Sequence, residues 1–126
     1  MLSIDSGGIS RLAERSTRTL ALIRALRRDG LWPPVAPTVV LVESLQGHSG
    51  RDANTNRFLK TCVIETLVTE RTARRAAELR RRARRGSAVD AIVVALAEPG
   101  GTVLTGDKAD IEALATHAHH VRVDTI

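Results

Sequence analysis

Short apolar runs of strand length alternate with longer helical segments along the whole chain, and no segment is repeated. This alternation is typical of α/β domains, because parallel strands need a crossover connection and the crossover is usually a helix. The predicted fold class is therefore α/β with a mainly parallel central sheet. Since 126 residues leave no room for a second core of useful size, residues 1–126 are predicted to form a single domain.

The pattern assigns most of the chain to strands or helices. Strands are predicted at residues 2–5, 38–41, 62–67, 102–105 and 120–124. Helices are predicted at residues 6–13, 15–28, a short segment that carries Glu43 and ends near Gly47, 53–60, 70–85, 88–97 and 108–116. Asp52 and Ser87 are predicted to cap the helices that follow them.

Acidic residues stand where apolar runs end or helices begin, at Asp5, Glu43, Asp90 and Asp107. Any one of them alone would be explained as a helix cap or a solvated loop residue. Carboxylates beside buried strands are costly unless they are solvated or paired with cations, and the ends of parallel strands gather distant residues into one cleft. Together the acids predict a divalent-metal site. Mg²⁺ or Mn²⁺ fits best, because hard cations prefer oxygen ligands.

Positive charge is concentrated in one predicted helix. Residues 71–85 contain eight arginines and one glutamate, so this segment has a charge of +7. Since the net charge of the chain is +5, the remaining residues together have a charge of −2. An apolar stripe at helical spacing leaves the arginines exposed, and it consists of Thr72, Ala76, Leu79 and Ala83. Like charges at this density destabilise a helix, which favours contact with a phosphate backbone or an acidic protein. The predicted RNA or partner contacts are Arg80, Arg81 and Arg82.

Scarce residue types exclude other classes of protein. Trp32 and Phe58 are the only aromatic residues, which argues against single-strand binding modules that stack bases on several rings. Cys62 is the only cysteine, so it cannot form an intramolecular disulfide and is predicted to lie in the core. The chain lacks an apolar stretch approaching the roughly 20 residues of a membrane span, and its N-terminus lacks a signal-peptide pattern. We therefore expect a cytoplasmic protein without a membrane partner.

The order and context of the acids resemble PIN-domain nucleases, specifically the VapC-type ribonuclease toxins of type II toxin–antitoxin systems. The resemblance spans nearly the whole chain. Its pieces are Ile4-Asp5-Ser6, Val40-Leu41-Val42-Glu43, Ser87-Ala88-Val89-Asp90-Ala91 and Val103-Leu104-Thr105-Gly106-Asp107. The sequence departs from the family pattern after Ser6, where Gly7-Gly8 is expected to loosen the first helix.

The resemblance implies a PIN-like three-layer α/β/α sandwich and a metal-dependent endoribonuclease. One or two Mg²⁺ ions, or Mn²⁺, would activate water for attack on an RNA phosphodiester and leave 5′-phosphate and 3′-hydroxyl ends. The implied ligands and catalytic residues are Asp5, Glu43, Asp90 and Asp107. Asp110 is a further candidate as a ligand, as an outer residue or as an acid that favours the helix dipole. Ser6 and Thr105 would hydrogen-bond the ligand carboxylates.

Family resemblance also supplies the expected partners. Toxins of this type usually dimerise, and a small antitoxin inhibits them by placing its C-terminal segment in a groove near the active site. A homodimer, an RNA substrate and a cognate antitoxin are therefore implied. The groove would involve the apolar faces around Leu12, Leu20, Ile23 and Trp32, although such residues also pack on a sheet in proteins without a partner.

Rival functions lack residues that they need. A phospho-acceptor receiver domain has its acceptor Asp after the third strand, and the segment Cys62-Val63-Ile64-Glu65-Thr66 has none. A haloacid-dehalogenase-type phosphatase needs a second Asp two residues after Asp5, where Gly7 stands. The remaining alternative is a non-catalytic nucleic-acid-binding or regulatory module that uses the arginine-rich helix 71–85.

Overall fold

A computed structural model describes all 126 residues as five strands and seven helices. In chain order the elements are β1 (Leu2–Ile4), α1 (Ser6–Ala13), α2 (Thr17–Arg28), β2 (Val35–Pro37), α3 (Thr38–Ser44), α4 (Ala53–Leu59), β3 (Val63–Glu65), α5 (Glu70–Ala83), α6 (Ala88–Ala97), β4 (Thr102–Thr105), α7 (Lys108–Ala115) and β5 (Arg122–Thr125). All strand pairs are parallel, and the sheet order is β3-β2-β1-β4-β5.

Helices cover the sheet as two separate groups. Helix α1 contacts α2, α3 and α4, whereas α5, α6 and α7 contact one another. The sheet order reverses direction between β3 and β4, and right-handed crossovers then place the two groups on opposite faces. The predicted α/β class, its three layers and its parallel central sheet are confirmed. No helix has both the length and the apolar character needed to cross a membrane.

The centre of the sheet is apolar because helices cover both of its faces. Strands β1 and β4 pair in the register Leu2↔Thr102 to Ile4↔Leu104. Leu2, Ile4 and Leu104 are almost fully buried, as expected for parallel strands with no solvent-facing side. They belong to one cluster of 21 buried apolar residues. The pairing also brings the carboxyl ends of β1 and β4 side by side, and this positions the residues that follow each strand.

The second strand was misplaced by the sequence pattern. Residues 38–41 form the start of helix α3, and the strand is instead Val35–Pro37, inside the predicted connection. The run Thr-Val-Val-Leu suits a strand by composition, but this preference is weak and tertiary packing overrides it. Val40 packs in the core while Val42 remains 81% exposed. Glu43 therefore lies in the last turn of a helix that begins directly after β2.

Smaller differences occur at the ends of other elements. Helix α2 begins at Thr17 because the side chain of Ser16 caps it, and Arg15 has a left-handed φ of 56°. Strand β3 is shorter than predicted, and β5 begins two residues later than predicted, at Arg122. Cys62 is half-buried against the core, and burial raises the pKa of its thiol to about 11.

Helix α5 has the predicted inward stripe. Ala76 and Leu79 are buried, and the side chain of Thr69 caps the helix by accepting from Thr72 N at 3.1 Å. Arg75 contradicts the expectation that all the arginines face solvent, because its side chain is only 19% exposed. The stripe is therefore correct, but it is flanked by a semi-buried ion pair that the sequence pattern did not predict.

Arg75 joins α5 to two distant segments. Its guanidinium bonds the carboxylate of Glu98 at 2.7 to 3.1 Å and the carbonyl of His117 at 3.0 Å. It also pairs with Glu78 at 3.1 Å. Hydrogen bonds from Arg75, followed by the His119 backbone N–H, hold the pKa of Glu98 below its usual value. This network fixes α5 against the end of α6 and the connection from α7 to β5.

Candidate metal site

Asp5 follows β1 and is the most buried of the predicted acids, at 4% exposure. Its Oδ1 accepts from Gly8 N at 2.6 Å, which makes Asp5 the N-cap of α1. Its Oδ2 accepts from the hydroxyl of Thr105 at the end of β4. Thr105 thus makes the contact predicted for it, whereas no hydrogen bond joins Ser6 to this carboxylate. These hydrogen bonds hold both carboxylate oxygens in fixed directions.

Gly7 and Gly8 allow two backbone segments to approach closely. A Cβ on Gly8 would lie 2.7 Å from the carbonyl oxygen of Leu104 and 3.2 Å from Asp5 Oδ1. A Cβ on Gly106 would lie 2.9 Å from the carbonyl carbon of Gly7. Gly7 and Gly8 belong to a regular helix α1. Close packing therefore explains why glycine follows Ser6 in this sequence. Without these glycines, the first turn of α1 could not lie against the loop after β4.

Asp90 lies in the first turn of α6 and is half-buried. Its Oδ2 accepts from Ser87 N at 3.0 Å, and its own N–H donates to the hydroxyl of Ser87 at 3.0 Å. This is a capping box, so the predicted cap at Ser87 is confirmed and a structural role for Asp90 is present. The other oxygen of Asp90 accepts no hydrogen bond from the protein.

Glu43 is exposed and makes no hydrogen bond. The loop after it is held by Asp52, whose carboxylate accepts from the N–H groups of Gln46, Gly47 and His48 at 2.9 to 3.1 Å. Asp52 is the N-cap residue of α4, as predicted, but its side chain forms no hydrogen bond with that helix. These N–H bonds, led by that of Gln46, lower the pKa of Asp52. The sequence analysis did not predict that Asp52 would accept hydrogen bonds from the loop that follows Glu43.

Three of the predicted acids interact electrostatically although they come from separate segments. Burial raises the pKa of Asp5 and Asp90 raises it further, while hydrogen bonds from Thr105, Gly8 and Gly106 oppose the rise. Although Glu43 is exposed, partial desolvation of its carboxylate raises its pKa, and the charges of Asp90 and Asp5 raise it further. No ion pair in the structure includes any of the three. We call Asp5, Glu43 and Asp90 the acidic site.

Asp107 and Asp110 stand apart from this set. Asp107 is exposed at the start of α7 and makes no side-chain cap, although its backbone N–H donates to Thr105 Oγ1 at 2.8 Å. Thr105 therefore links the carboxylate of Asp5 to the backbone of Asp107. Asp110 pairs with Arg85 at 2.7 Å, and this contact neutralises it. The structure thus ties Asp107 to the site through its backbone and gives Asp110 a different partner.

The donor chemistry of the acidic site suits a hard divalent cation. Its side chains offer only oxygen atoms, carry like charge and have no cationic partner, which is the situation that Mg²⁺ or Mn²⁺ offsets. As placed, however, no three His, Cys, Asp or Glu side chains are close enough together to hold a metal ion. The residues fit such an ion by type and charge, and an exposed Glu43 leaves freedom to approach one.

The predicted contacts on α5 differ in their surroundings. Arg82 pairs with Glu78 at 3.0 Å, and Arg80 Nε donates to the carbonyl of Gly86 at 3.3 Å. Arg81 is exposed and has no partner in the protein. The three arginines are therefore not equivalent, although the sequence grouped them together.

The apolar residues predicted to form a groove do line one common cavity. Its volume is about 380 Å³, and its apolar lining consists of Leu12, Ala13, Leu20, Ile23, Trp32 and Phe58. Trp32 and Phe58 pack edge to face with centroids 6.2 Å apart, and the guanidinium of Arg27 lies 5.3 Å from the Trp32 ring. Asn54, Thr61 and four arginines that were not predicted also line the cavity, and the arginines are Arg15, Arg24, Arg27 and Arg57. The cavity is thus apolar inside and basic around it.

No protein-family model matches this chain. The likeness to PIN-domain toxins therefore remains an interpretation of four short motifs.

Proposed function

We propose that this protein is a Mg²⁺-dependent endoribonuclease in which Mn²⁺ can replace Mg²⁺. The observation that supports this most is the acidic site, where Asp5, Glu43 and Asp90 repel one another without any cationic partner. Ionised carboxylates that lie near one another destabilise a fold unless a cation offsets their repulsion. Retaining such a site makes physical sense if it binds a cation to do chemistry.

The residues of this chain would divide the work. Asp5 and Asp90 would bind Mg²⁺ through their carboxylate oxygens, and Glu43 and Asp107 would approach from the exposed side. Gly8 N–H and Thr105 would hold the carboxylate of Asp5 in a fixed orientation, as outer hydrogen bonds do in metal sites. When bound, the ion would activate water and neutralise charge on the leaving oxygen of an RNA phosphodiester.

The groove supports a protein partner for the same molecule. Its apolar floor and basic wall favour a segment with both apolar and acidic residues, and we propose that a cognate antitoxin supplies it. A homodimer and a cytoplasmic location complete the proposal by resemblance to VapC-type toxins. Antitoxin binding would be tested by replacing Leu20 and Ile23 with Asp, which should abolish inhibition without changing cleavage.

The decisive experiment is RNA cleavage by the purified, partner-free chain in Mg²⁺, Mn²⁺ or EDTA. Total RNA and transfer RNA serve as substrates. Asp5→Asn and Asp90→Asn should each reduce cleavage at least 100-fold, the size of loss typical when a charged transition-state contact is removed. Asp29→Asn is a matched control, because Asp29 pairs with Arg28 on the surface. Circular dichroism confirms that each variant is folded.

One observation favours a second function, a non-catalytic nucleic-acid-binding module. The acids are not assembled as a complete ion site, while α5 carries a dense array of arginines. RNA binding by a folded wild type that cuts no RNA in any metal would favour this function. Metal-dependent cleavage that survives in Asp5→Asn would contradict the acidic site but not the nuclease.

A further inference from the structure

Ion pairs divide the arginines of residues 71–85 into two sets. Four of the eight are bonded to carboxylates at 2.7 to 3.1 Å, through the pairs Arg74–Glu70, Arg75–Glu98, Arg75–Glu78, Arg82–Glu78 and Arg85–Asp110. Their charges are largely neutralised within the protein. The other four have no carboxylate partner and are Arg71, Arg80, Arg81 and Arg84. The charge available to an outside partner is therefore about half of what the sequence suggests.

Three of the four unpaired arginines lie at one end of the helix. Arg80 and Arg81 are in the last turn of α5, and Arg84 is its C-cap. All three are exposed. We call them the free arginine cluster. A helix C-terminus favours cations, which explains some enrichment of arginine at this end but does not require three unpaired guanidinium groups.

Arg84 has a backbone conformation that does not suit it. Its φ of 56° and ψ of 22° lie in the left-handed region, where glycine is the usual residue at a helix end. Its exposed side chain forms no hydrogen bond or ion pair that would compensate. Its backbone N–H donates to the carbonyl of Arg80 at 3.0 Å, so the helix end accounts for this conformation. The fold gives no such role to its guanidinium, which is left available to a partner outside the chain.

The free arginine cluster lies at the end of α5 that leads into the acidic site. Only Arg85 and Gly86 separate Arg84 from Ser87, which caps the helix that carries Asp90. The pair Arg85–Asp110 fixes this turn against the first turn of α7, directly after β4 and its loop. Arg71 lies at the opposite end of α5, so the free charge near the acids comes from the cluster.

We infer that Arg80, Arg81 and Arg84 bind the phosphate backbone of the RNA strand that enters the acidic site. This inference rests on the proposed nuclease function. Carboxylates repel a phosphodiester, so a site made of acids needs cations beside it to attract the strand. Guanidinium groups bind phosphate oxygens with charge-assisted hydrogen bonds. With only two aromatic residues in the chain, base stacking cannot replace this contact.

The test compares two double variants with the same loss of charge. Arg81→Gln/Arg84→Gln removes two free arginines, whereas Arg74→Gln/Arg82→Gln removes two exposed arginines that are already paired. Binding of a fluorescent 20-nucleotide single-stranded RNA is measured in EDTA between low and moderate salt. The slope of log K against log salt should fall by about 1.4 in the first variant, because each lost phosphate contact contributes about 0.7. It should change little in the second.

A single substitution separates function from folding. Arg84→Gly should weaken RNA binding several-fold while leaving the melting temperature unchanged or higher, because glycine suits the left-handed conformation. A lower melting temperature with unchanged RNA affinity would mean that Arg84 serves the fold, and the inference would be wrong.

The outcomes also distinguish this surface from the nuclease itself. Equal loss of slope in both double variants, or no loss in either, overturns the inference, and the second result would assign the surface to an acidic protein. A selective loss with no cleavage by the wild type would keep the surface and reject the nuclease. Cleavage by the wild type, with salt slopes unchanged in both double variants, would keep the nuclease and reject the RNA-binding surface.

Discussion

The two ends of helix α6 hold buried charge in opposite ways. At its start, Asp90 faces the like charges of Asp5 and Glu43, and none of these acids has a cationic partner. Just after its end, Glu98 is bonded to Arg75 at 2.7 Å, and its side chain is 10% exposed. Asp90 and Glu98 are eight residues apart in sequence, so the two arrangements are separated by about 12 Å along the helix axis.

The end of α6 at Glu98 serves stability, whereas its start at Asp90 has features that stability alone does not explain. The pair at Glu98 is complete within the protein and joins three segments, so structure alone accounts for it. The acidic site gains nothing comparable from its neighbours. Helix capping accounts for one oxygen of Asp90, and hydrogen bonds orient the carboxylate of Asp5. Neither contact offsets the repulsion between the carboxylates. An external divalent cation would offset most of the repulsion at the acidic site.

The largest effect on folding is expected at Arg75. Arg75→Ala should lower the free energy of unfolding by about 3 kcal/mol, because it leaves the buried carboxylate of Glu98 without its partner. Arg74→Ala is the matched control, since Arg74 and Glu70 form an exposed pair that should contribute less than about 0.5 kcal/mol. Urea unfolding of both variants measures the difference. Similar losses in both would show that the end of α6 does not depend on this ion pair.

A divalent cation should stabilise the other end of α6. At 100 times its dissociation constant, Mg²⁺ or Mn²⁺ should raise the free energy of unfolding by about 2.7 kcal/mol in the wild type and much less in Asp5→Asn. Thermal unfolding with and without the ion provides the measurement, and Asp29→Asn controls for loss of a surface charge. Equal stabilisation of wild type and Asp5→Asn would argue that the ion binds elsewhere.

The two ends should also respond to pH with opposite signs. The folded pKa of Asp5 lies above its ordinary value of 3.8, so the folded state binds the proton of Asp5 more tightly than the unfolded state does. The free energy of unfolding should therefore rise as pH falls from the folded pKa to 3.8. The folded pKa of Glu98 lies below its ordinary value of 4.5, so its stabilisation is present above pH 4.5 and is lost at lower pH.

Neutral variants isolate each contribution. In EDTA, the stability of wild type relative to Asp5→Asn should decrease as pH rises above 3.8, whereas its stability relative to Glu98→Gln should decrease as pH falls below 4.5. Urea unfolding from pH 3 to 7 gives both differences. Slopes of the same sign would mean that the two carboxylates have similar environments, contrary to the structure.

The sequence predicted the fold well where signals were local. Ser87 and Asp90 form a capping box, and α6 has the predicted limits. The strand at residues 102–105 is also correct. The error at residues 38–41 arose because a β-branched run resembles a strand until packing is known. Local caps and periodicity determine helix ends, while the choice between strand and helix for a short apolar run depends on distant contacts.

The candidate site was only partly predictable for the same reason. The acids could be found from their positions after apolar runs, and Thr105 from its place beside Asp107. The pairing of Asp110 with Arg85 joins residues 25 positions apart, and the pairing of Arg75 with Glu98 joins residues 23 positions apart. No local pattern encodes such contacts. The distinction between free and paired arginines therefore requires the structure.

The smallest effect is expected at Ser3, a buried polar residue that is neither charged nor paired. Its hydroxyl is the one buried side-chain polar atom without a hydrogen bond. Ser3→Ala should change the free energy of unfolding by less than about 1 kcal/mol, and towards greater stability, because an unsatisfied hydroxyl is removed. Thr105→Val is a contrasting variant of similar shape that removes the side-chain donor to Asp5, and it should destabilise by about 1 to 3 kcal/mol. If Ser3→Ala were the more destabilising of the two, β1 would depend on a polar contact at Ser3. That contact would then contribute more to stability than the hydrogen bond from Thr105 to Asp5.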